Sequence, residues 1–449
     1  MLFSSNVFLF CFLPSVLLIY YLCPRRLRNP VLLLFSLFFY GWGEPVYLFL
    51  MIGDVLLNYV CGLCIEKERG KDKSGKISLI TGVVLNLLLL LFFKYGNFFF
   101  GALLPEIALP IGISFYIFQS MSYIIDVYWN HAGVQKNVLT FGTYVTLFPQ
   151  LIAGPIVRYV DVEQMLTGRK ENLAQFAAGV RLFVIGLSKK VLVANPMGSL
   201  WNLLQVQQGT LSAWMGLLAY TLQIYFDFSG YSDMAMGLGR MLGFEFLKNF
   251  DYPYISRSIT EFWRRWHISL STWFKEYVYI PLGGNRKGLG RQICNILIVW
   301  LLTGLWHGAS WNFVLWGGYY ALLLIAEKTF LLKWLQKLPR WLTHVYTMMA
   351  VMLGWSLFYF ENFGALMAFL PKLFSAASSG PAKQILLGYL PITAAAVFAS
   401  TPIAKHWADK HGDSVKVQAA ELLLLCLLML LCVAALASQS YNPFIYFRF

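Results

Sequence analysis

Two of the six histidines stand where an imidazole can do chemistry. His307 lies in the run LLTGLWHGASWNF (301–313), directly after a nearly unbroken apolar stretch from 293 to 302. An ionisable side chain at membrane depth is expensive, so it reads as functional by default, with a satisfied core histidine as the bland alternative. The flanking Gly304 and Gly308 allow close backbone approach or a helix break beside the ring. An imidazole that titrates near neutrality can take the proton of an alcohol attacking an activated acyl carbon, then return it to the leaving group. Such a site also needs donors for the developing oxyanion, and Trp306, Ser310 and Asn312 are the candidates beside His307. No GxSxG elbow occurs, which leaves a serine-esterase reading without support.

His267 sits in residues 248–291, the largest collapse of hydropathy in the chain. Eight cations there face three carboxylates, for a local net charge of +5. Helical spacing predicts one amphipathic helix. Phe262, Trp263, Trp266, Leu270, Trp273, Phe274 and Tyr277 form an aromatic stripe, and Thr260, Arg264, His267, Ser271 and Lys275 a polar one. Two readings stay open: an interfacial helix anchored by Trp and basic residues with His267 incidental, or a cationic mouth for an anionic ligand with His267 aimed into it. Arg264, Arg265 and Trp266 are the candidate ligand contacts on this segment. The cluster YFDFSGYSD (225–233) places Asp227 and Asp233 at the end of an apolar span. These carboxylates either orient a histidine or hold a hydroxyl acceptor, or else, with Ser beside Gly230, cap a helix or form an Asx turn. His131 and His344 lie in or near polar connections, and His406, Asp409 and His411 lack metal-ligand spacing, so no metal is expected.

These residues need a scaffold, and composition says which kind. Of 449 residues, 58% are hydrophobic and 12% charged, and the mean hydropathy is +0.62. Soluble domains carry roughly twice that share of charge, so water-soluble enzymes and disordered chains are excluded. The expected fold is an all-α polytopic membrane protein with about 11 transmembrane helices at roughly 20 residues each. Re-entrant and amphipathic helices would join them. The apolar run 7–22 is followed by Arg25, Arg26 and Arg28, and residues 66–76 hold Lys67, Arg69, Lys71, Lys73 and Lys76. Both basic loops then face the cytoplasm, and the first span is a retained helix with its N-terminus outside. Residues 31–64, broken by Gly41, Gly43 and Pro45, read as a helical hairpin, and the Gly- and Pro-broken stretches 138–155 and 228–247 as re-entrant segments. Seven scattered cysteines make no disulfide framework, and Cys61 with Cys64 reads as two small hydrophobes on one helix face.

Taken together, these segments resemble the membrane-bound O-acyltransferase family, alginate O-acetylation branch. The matching stretches are LPIGISFYIFQSMSYIIDVY (109–128), FPQLIAGPIVRY (148–159), YFDFSGYSDMAMGLGRMLGF (225–244) and NFDYPYISRSITEFWRRWHISLSTWFKEYVYIPLGGNRKG (249–288). To these add GLWHGASWNFVLWG (304–317) and YNPFIYF (441–447). The resemblance implies one membrane domain over 1–449, with N-terminal helices (1–108), a catalytic core (109–332) and C-terminal helices (333–449). It further implies a barrel-like arrangement of helices around a central tunnel, and transfer of an acetyl group from a cytoplasmic donor toward the outer face. His307 maps onto the family's presumed catalytic histidine, and His267 onto one thought to line the cytoplasmic entrance. No cofactor is expected to be bound; acetyl-CoA, or the pantetheine arm of an acyl carrier, would be the donor substrate. The expected partners are an extracytoplasmic acetyltransferase-type protein and membrane lipids, and the expected location a bacterial inner membrane. The sequence departs from the family after LWG, where Tyr319 or Tyr320 stands in place of a further histidine. The related teichoic-acid D-alanylation proteins fit 255–273 and the 441–447 end less well.

A transporter for an anionic lipid or sugar is the alternative from another class. It predicts internal repeats and several intramembrane charges, whereas this chain shows no inverted repeat and one central polar unit. The net charge of +14 needs no nucleic acid. The basic loops and the cationic segment 248–291 account for much of it, one by topology and the other by its candidate anion site.

Overall fold

Apolar runs bounded by Gly, Pro and charged residues become helices here because backbone polar groups in a bilayer must be satisfied within the segment. The computed structural model describes residues 1–71, 74–101, 108–152, 154–360, 362–377, 380–412, 414–438 and 444–445. Among these the regular structure is all helical, with no strand, as an all-α polytopic membrane protein requires. Lys73 of the early basic loop, and all of the terminal motif except Phe444 and Ile445, lie outside the described residues.

Contacts divide the chain into two units, 1–183 with 231–248, and 184–230 with 249–449. In the first unit, α1 (Leu13–Leu22), α2 (Arg28–Gly41) and α3 (Tyr47–Arg69) are followed by α4 (Lys76–Phe100) and α5 (Ile113–Trp129). The turn at 42–46 makes the expected helical hairpin of α2 and α3. Next come α6 (Val138–Thr146), α7 (Phe148–Leu151) and α8 (Tyr159–Gly168). The break between α6 and α7 falls at Leu147, in a wholly buried stretch. There Ser36 Oγ accepts from the Phe148 N–H at 3.1 Å.

Two helices, α9 (Leu173–Ser188) and α11 (Thr210–Met241), contribute residues to both units, with α10 (Asn195–Gln205) between them. The expected break over 228–247 does not occur before Met241. Its glycines sit inside α11, where they permit close helix packing: a Cβ at Gly230 would stand 2.8 Å from the Gly186 carbonyl, and one at Gly237 2.6 Å from that of Gly179.

The second unit continues with α12 (Ile259–Arg265), α13 (Ile268–Phe274), α14 (Gly288–His307) and α15 (Trp311–Ala326). It ends with α16 (Leu332–Leu335), α17 (Arg340–Tyr359), α18 (Phe363–Phe369), α19 (Gly380–Ala399), α20 (Ile403–His411) and α21 (Val415–Ser438). By length and composition α3, α4, α14, α19 and α21 can each cross a membrane, as can α15 continued to Leu335. That continuation is a π-helical turn, Glu327–Leu331, and a second π turn, Lys275–Tyr279, extends α13.

Candidate active site

The predicted single amphipathic helix is two helices. Ser258 Oγ caps α12 by accepting from the Glu261 N–H at 3.0 Å, and α12 stops at Trp266, whose backbone is extended. His267 then adopts a left-handed conformation at φ 46°, which is uncommon for a residue with a side chain. The preceding segment drives this break. The buried Asn249 uses its carbonyl to accept from Ile268 N–H (2.9 Å), and its side-chain oxygen to accept from Ser269 N–H (3.1 Å) and Oγ–H (2.9 Å). The Asp251 N–H donates to the Arg265 carbonyl at 2.9 Å. Two orphan donors at the start of α13 are thereby satisfied, and the chain reverses with His267 at the junction.

The polar stripe survives the break. Thr260, Arg264, His267, Ser271 and Lys275 all line one cavity of about 780 Å³. Its opposite wall is a stripe of α14, Gln292, Ile296, Val299, Trp300, Thr303 and His307, at the spacing of one helix face. Gln292 and His307 are separated by about 22 Å along that helix, at 1.5 Å per residue. Arg264, Lys275, Arg286, Lys287 and Lys328 are exposed cations on the lining, which contains no carboxylate. Among the described residues none of the five is ion-paired. The cavity thus joins an exposed cationic lining, with Arg286 and Lys287 directly before α14, to two buried imidazoles, His307 standing at the C-terminal end of α14.

The α14–α15 pair fixes that inner end. Gly304 and Gly317 face each other at the crossing, and a Cβ on either would run into a carbonyl of the other helix, that of Phe313 or of Trp300. α14 terminates at His307 because Gly308 is extended, and Ser310 Oγ caps α15 by accepting from the Asn312 N–H at 3.2 Å. The His307 ring is framed by Trp306, Trp316 and Phe358 with centroids at 4.9, 5.0 and 5.1 Å. His267 touches Trp306 at 6.0 Å and Phe228 at 5.9 Å. Among the described residues neither ring nitrogen of His267 has a hydrogen-bond partner, although the residue is 2% exposed.

Of the residues singled out from sequence, the structure brings His307, His267 and Arg264 onto the cavity wall and places the others elsewhere. Arg265 pairs with Glu261 at 3.0 Å and Asp251 at 3.3 Å. Trp266 is packed among Phe250, Tyr254, Phe262 and Trp355. Trp306 lies against both histidines without lining the cavity, and the Asn312 amide donates to the Phe360 carbonyl. Asp227 is ion-paired with Lys190 at 2.5 Å and accepts from the Ile445 N–H at 2.8 Å. Asp233 is half-buried and belongs to the first unit. Tyr319 donates to the Ala350 carbonyl at 2.9 Å, and Tyr320 packs on Trp263 and Trp316, so neither hydroxyl enters the cavity. Lys328 was not singled out from sequence; it comes from the π turn after α15, which no hydropathy pattern marks.

The chain matches the family model for MBOAT, the membrane-bound O-acyltransferase family, over residues 128–369, which includes the whole cavity. It is 40% identical to a probable alginate O-acetylase AlgI of Pseudomonas putida over the full length of both chains. A probable alginate O-acetylase AlgI of Pseudomonas aeruginosa is 45% identical over 81% of this chain and 72% of its own. The peptidoglycan O-acetyltransferase of Helicobacter pylori is 34% identical over 81% of this chain and 77% of its own. With its apolar helices and this cavity, the chain belongs to the membrane-bound O-acyltransferase family and is a multi-pass membrane O-acyltransferase.

Proposed function

We propose that this enzyme takes an acetyl group from a cytoplasmic phosphopantetheine thioester, acetyl-CoA or an acyl carrier, and passes it across a bacterial inner membrane. There it serves O-acetylation of an exopolysaccharide such as alginate through an extracytoplasmic acetyltransferase-type partner. The observation that carries this reading is the polarity of the cavity. Five cations, none ion-paired among the described residues, line it; two of them, Arg286 and Lys287, directly precede the N-terminus of α14, which adds a partial positive charge, and the buried His307 stands at the far end of that helix, about 22 Å along it from Gln292. Phosphates fit the cationic rim, and an extended pantetheine arm has the reach to carry its thioester to His307. The relatives with alginate and peptidoglycan acetylation in their names support the polysaccharide class.

In this reading His307 accepts the proton of the acceptor hydroxyl as its oxygen attacks the thioester carbonyl. The new C–O bond forms, the C–S bond breaks, and the thiolate takes the proton from the imidazolium. Burial behind Trp306, Trp316 and Phe358 shields the ring from water that would hydrolyse the thioester. The test is label transfer in proteoliposomes given acetyl-CoA labelled in the acetyl group, with a purified acetylated carrier as the second donor. His307→Ala is expected to abolish transfer while the protein melts as the parent does. Undiminished transfer by that variant would remove His307 from the chemistry, and failure of both donors would remove the donor assignment.

A further inference from the structure

The geometry points to Glu327 as a positioning residue: from the end of α15 its carboxylate holds the start of α12 and thereby sets His267 in the cavity. This inference rests on the acyltransferase reading of that cavity and adds to it a residue that does not line the wall.

Glu327 is 2% exposed, yet its carboxylate is fully engaged. Oε1 accepts from the Ile259 N–H at 2.7 Å, and Oε2 from the Thr260 N–H at 2.8 Å and the Thr260 hydroxyl at 2.6 Å. Tyr346 on α17 donates to Oε1 at 3.3 Å. The first N–H groups of a helix have no partner within it. In α12 the local cap serves only part of that need, since Ser258 takes the Glu261 N–H and Glu261 takes the Arg257 N–H. The two donors left over are met from a residue almost seventy positions downstream. A carboxylate suits the positive end of the helix, and its hydrogen bonds offset its own burial.

The consequence for the cavity follows from chain order. Glu327 is the residue before Lys328, which lines the cavity, and it grips Thr260, which lines the cavity from the other side. Arg264 lies one turn beyond Thr260 on α12, and His267 follows at the break into α13. A seven-residue helix cannot hold its own position, so its register against α15 depends on side chains at its ends. The His267 ring, with no hydrogen bond to another residue among the described residues, relies on that register.

The test has two arms. In the first, purified protein in proteoliposomes is treated with diethyl pyrocarbonate, and peptide mass spectrometry follows the carbethoxylation rates of His267, His307 and His411. Glu327→Ala is expected to raise the His267 rate about tenfold, with Glu327→Gln between it and the parent, while the rate of His411, whose ring bonds within its own helix, stays unchanged. In the second, acyl transfer is compared among Glu327→Ala, His267→Ala and their double variant. The double variant is expected to be no slower than His267→Ala, because the two changes remove one function. An unchanged His267 rate, an equal rise at all three histidines, or losses that multiply in the double variant would overturn the inference. Should Glu327→Ala fail to accumulate, Glu327→Gln decides by the same rates. The labelling arm needs no donor, so failure of the acyltransferase reading shows only in the second arm.

Discussion

His267 and Trp306 meet edge to face, ring centroids 6.0 Å apart, at the inner end of the cavity, and the same indole lies 4.9 Å from His307. Two imidazoles forty residues apart in sequence are therefore joined through one aromatic residue. His267 has no hydrogen-bond partner on either nitrogen among the described residues, which is costly for a buried polar ring. Substitution by a ring of similar size should relieve that cost and remove the nitrogens. His267→Phe is expected to melt at or above the parent temperature in detergent, with a gain of about 1 kcal/mol, while acyl transfer falls about a hundredfold. A markedly lower melting temperature would mean that His267 is held by contacts a phenyl ring cannot replace.

Adjacent arginines separate binding from structure. Arg264 is exposed on the cavity wall, whereas Arg265 is committed to Glu261 and Asp251. Arg264→Ala should raise the donor KM about tenfold at low salt, and the gap from the parent should narrow as salt screens the cationic rim. Arg265→Ala should leave the donor KM unchanged and cost at most about 1 kcal/mol, the scale of partly exposed ion pairs. Steady-state kinetics at two ionic strengths, with melting curves for both variants, decide it. A KM effect of Arg265→Ala equal to that of Arg264→Ala would contradict this division.

The polar stripe Thr260, Arg264, His267, Ser271 and Lys275 was legible as a spacing, and it lines the cavity even though the helix it implied is broken. Periodicity reports which residues share a face. It does not report that Asn249 supplies the hydrogen bonds that allow a reversal at His267. For the same reason Gly230 and Gly237 read as breaks when they are close-packing sites inside α11. Glu327 was unreadable because its partners, Ile259 and Thr260, are distant in sequence and are engaged through backbone groups that every residue carries. Arg264 and Arg265 are identical in type and adjacent, so only the fold distinguishes one from the other.

The α14–α15 crossing should tolerate no added carbon. A Cβ at Gly317 points at the backbone carbonyl of Trp300, which cannot swing away as a side chain can. Gly317→Ala is expected to cost about 1–3 kcal/mol by overpacking, and to lower transfer because Trp300, Thr303 and His307 share that helix face. Gly318, one residue on, has open space beyond its Cβ and serves as the control. Gly318→Ala should melt within about 0.5 kcal/mol of the parent or slightly above it, given the helix preference for alanine. Equal melting of the two variants would show that the crossing relaxes freely.

The Lys190–Asp227 pair decides between the two readings of Asp227. Both side chains are buried in the second unit, the ammonium lies 4.6 Å from the centroid of the Phe444 ring, and Ile445 donates its N–H to the same carboxylate. Asp227→Ala takes from the buried Lys190 ammonium its carboxylate partner and should lose about 3–5 kcal/mol. Replacing both, as Lys190→Met with Asp227→Leu, removes both buried charges and should recover most of that loss. The shortfall should be about 1–3 kcal/mol, for the Ile445 N–H that no longer has an acceptor. Melting curves establish the recovery, and label transfer by the same double variant then carries the decision. Transfer near the parent rate assigns Asp227 to the architecture of this unit, with the residues of the C-terminal motif as its partners. A well-folded double variant without transfer would instead return Asp227 to the handling of the acceptor hydroxyl.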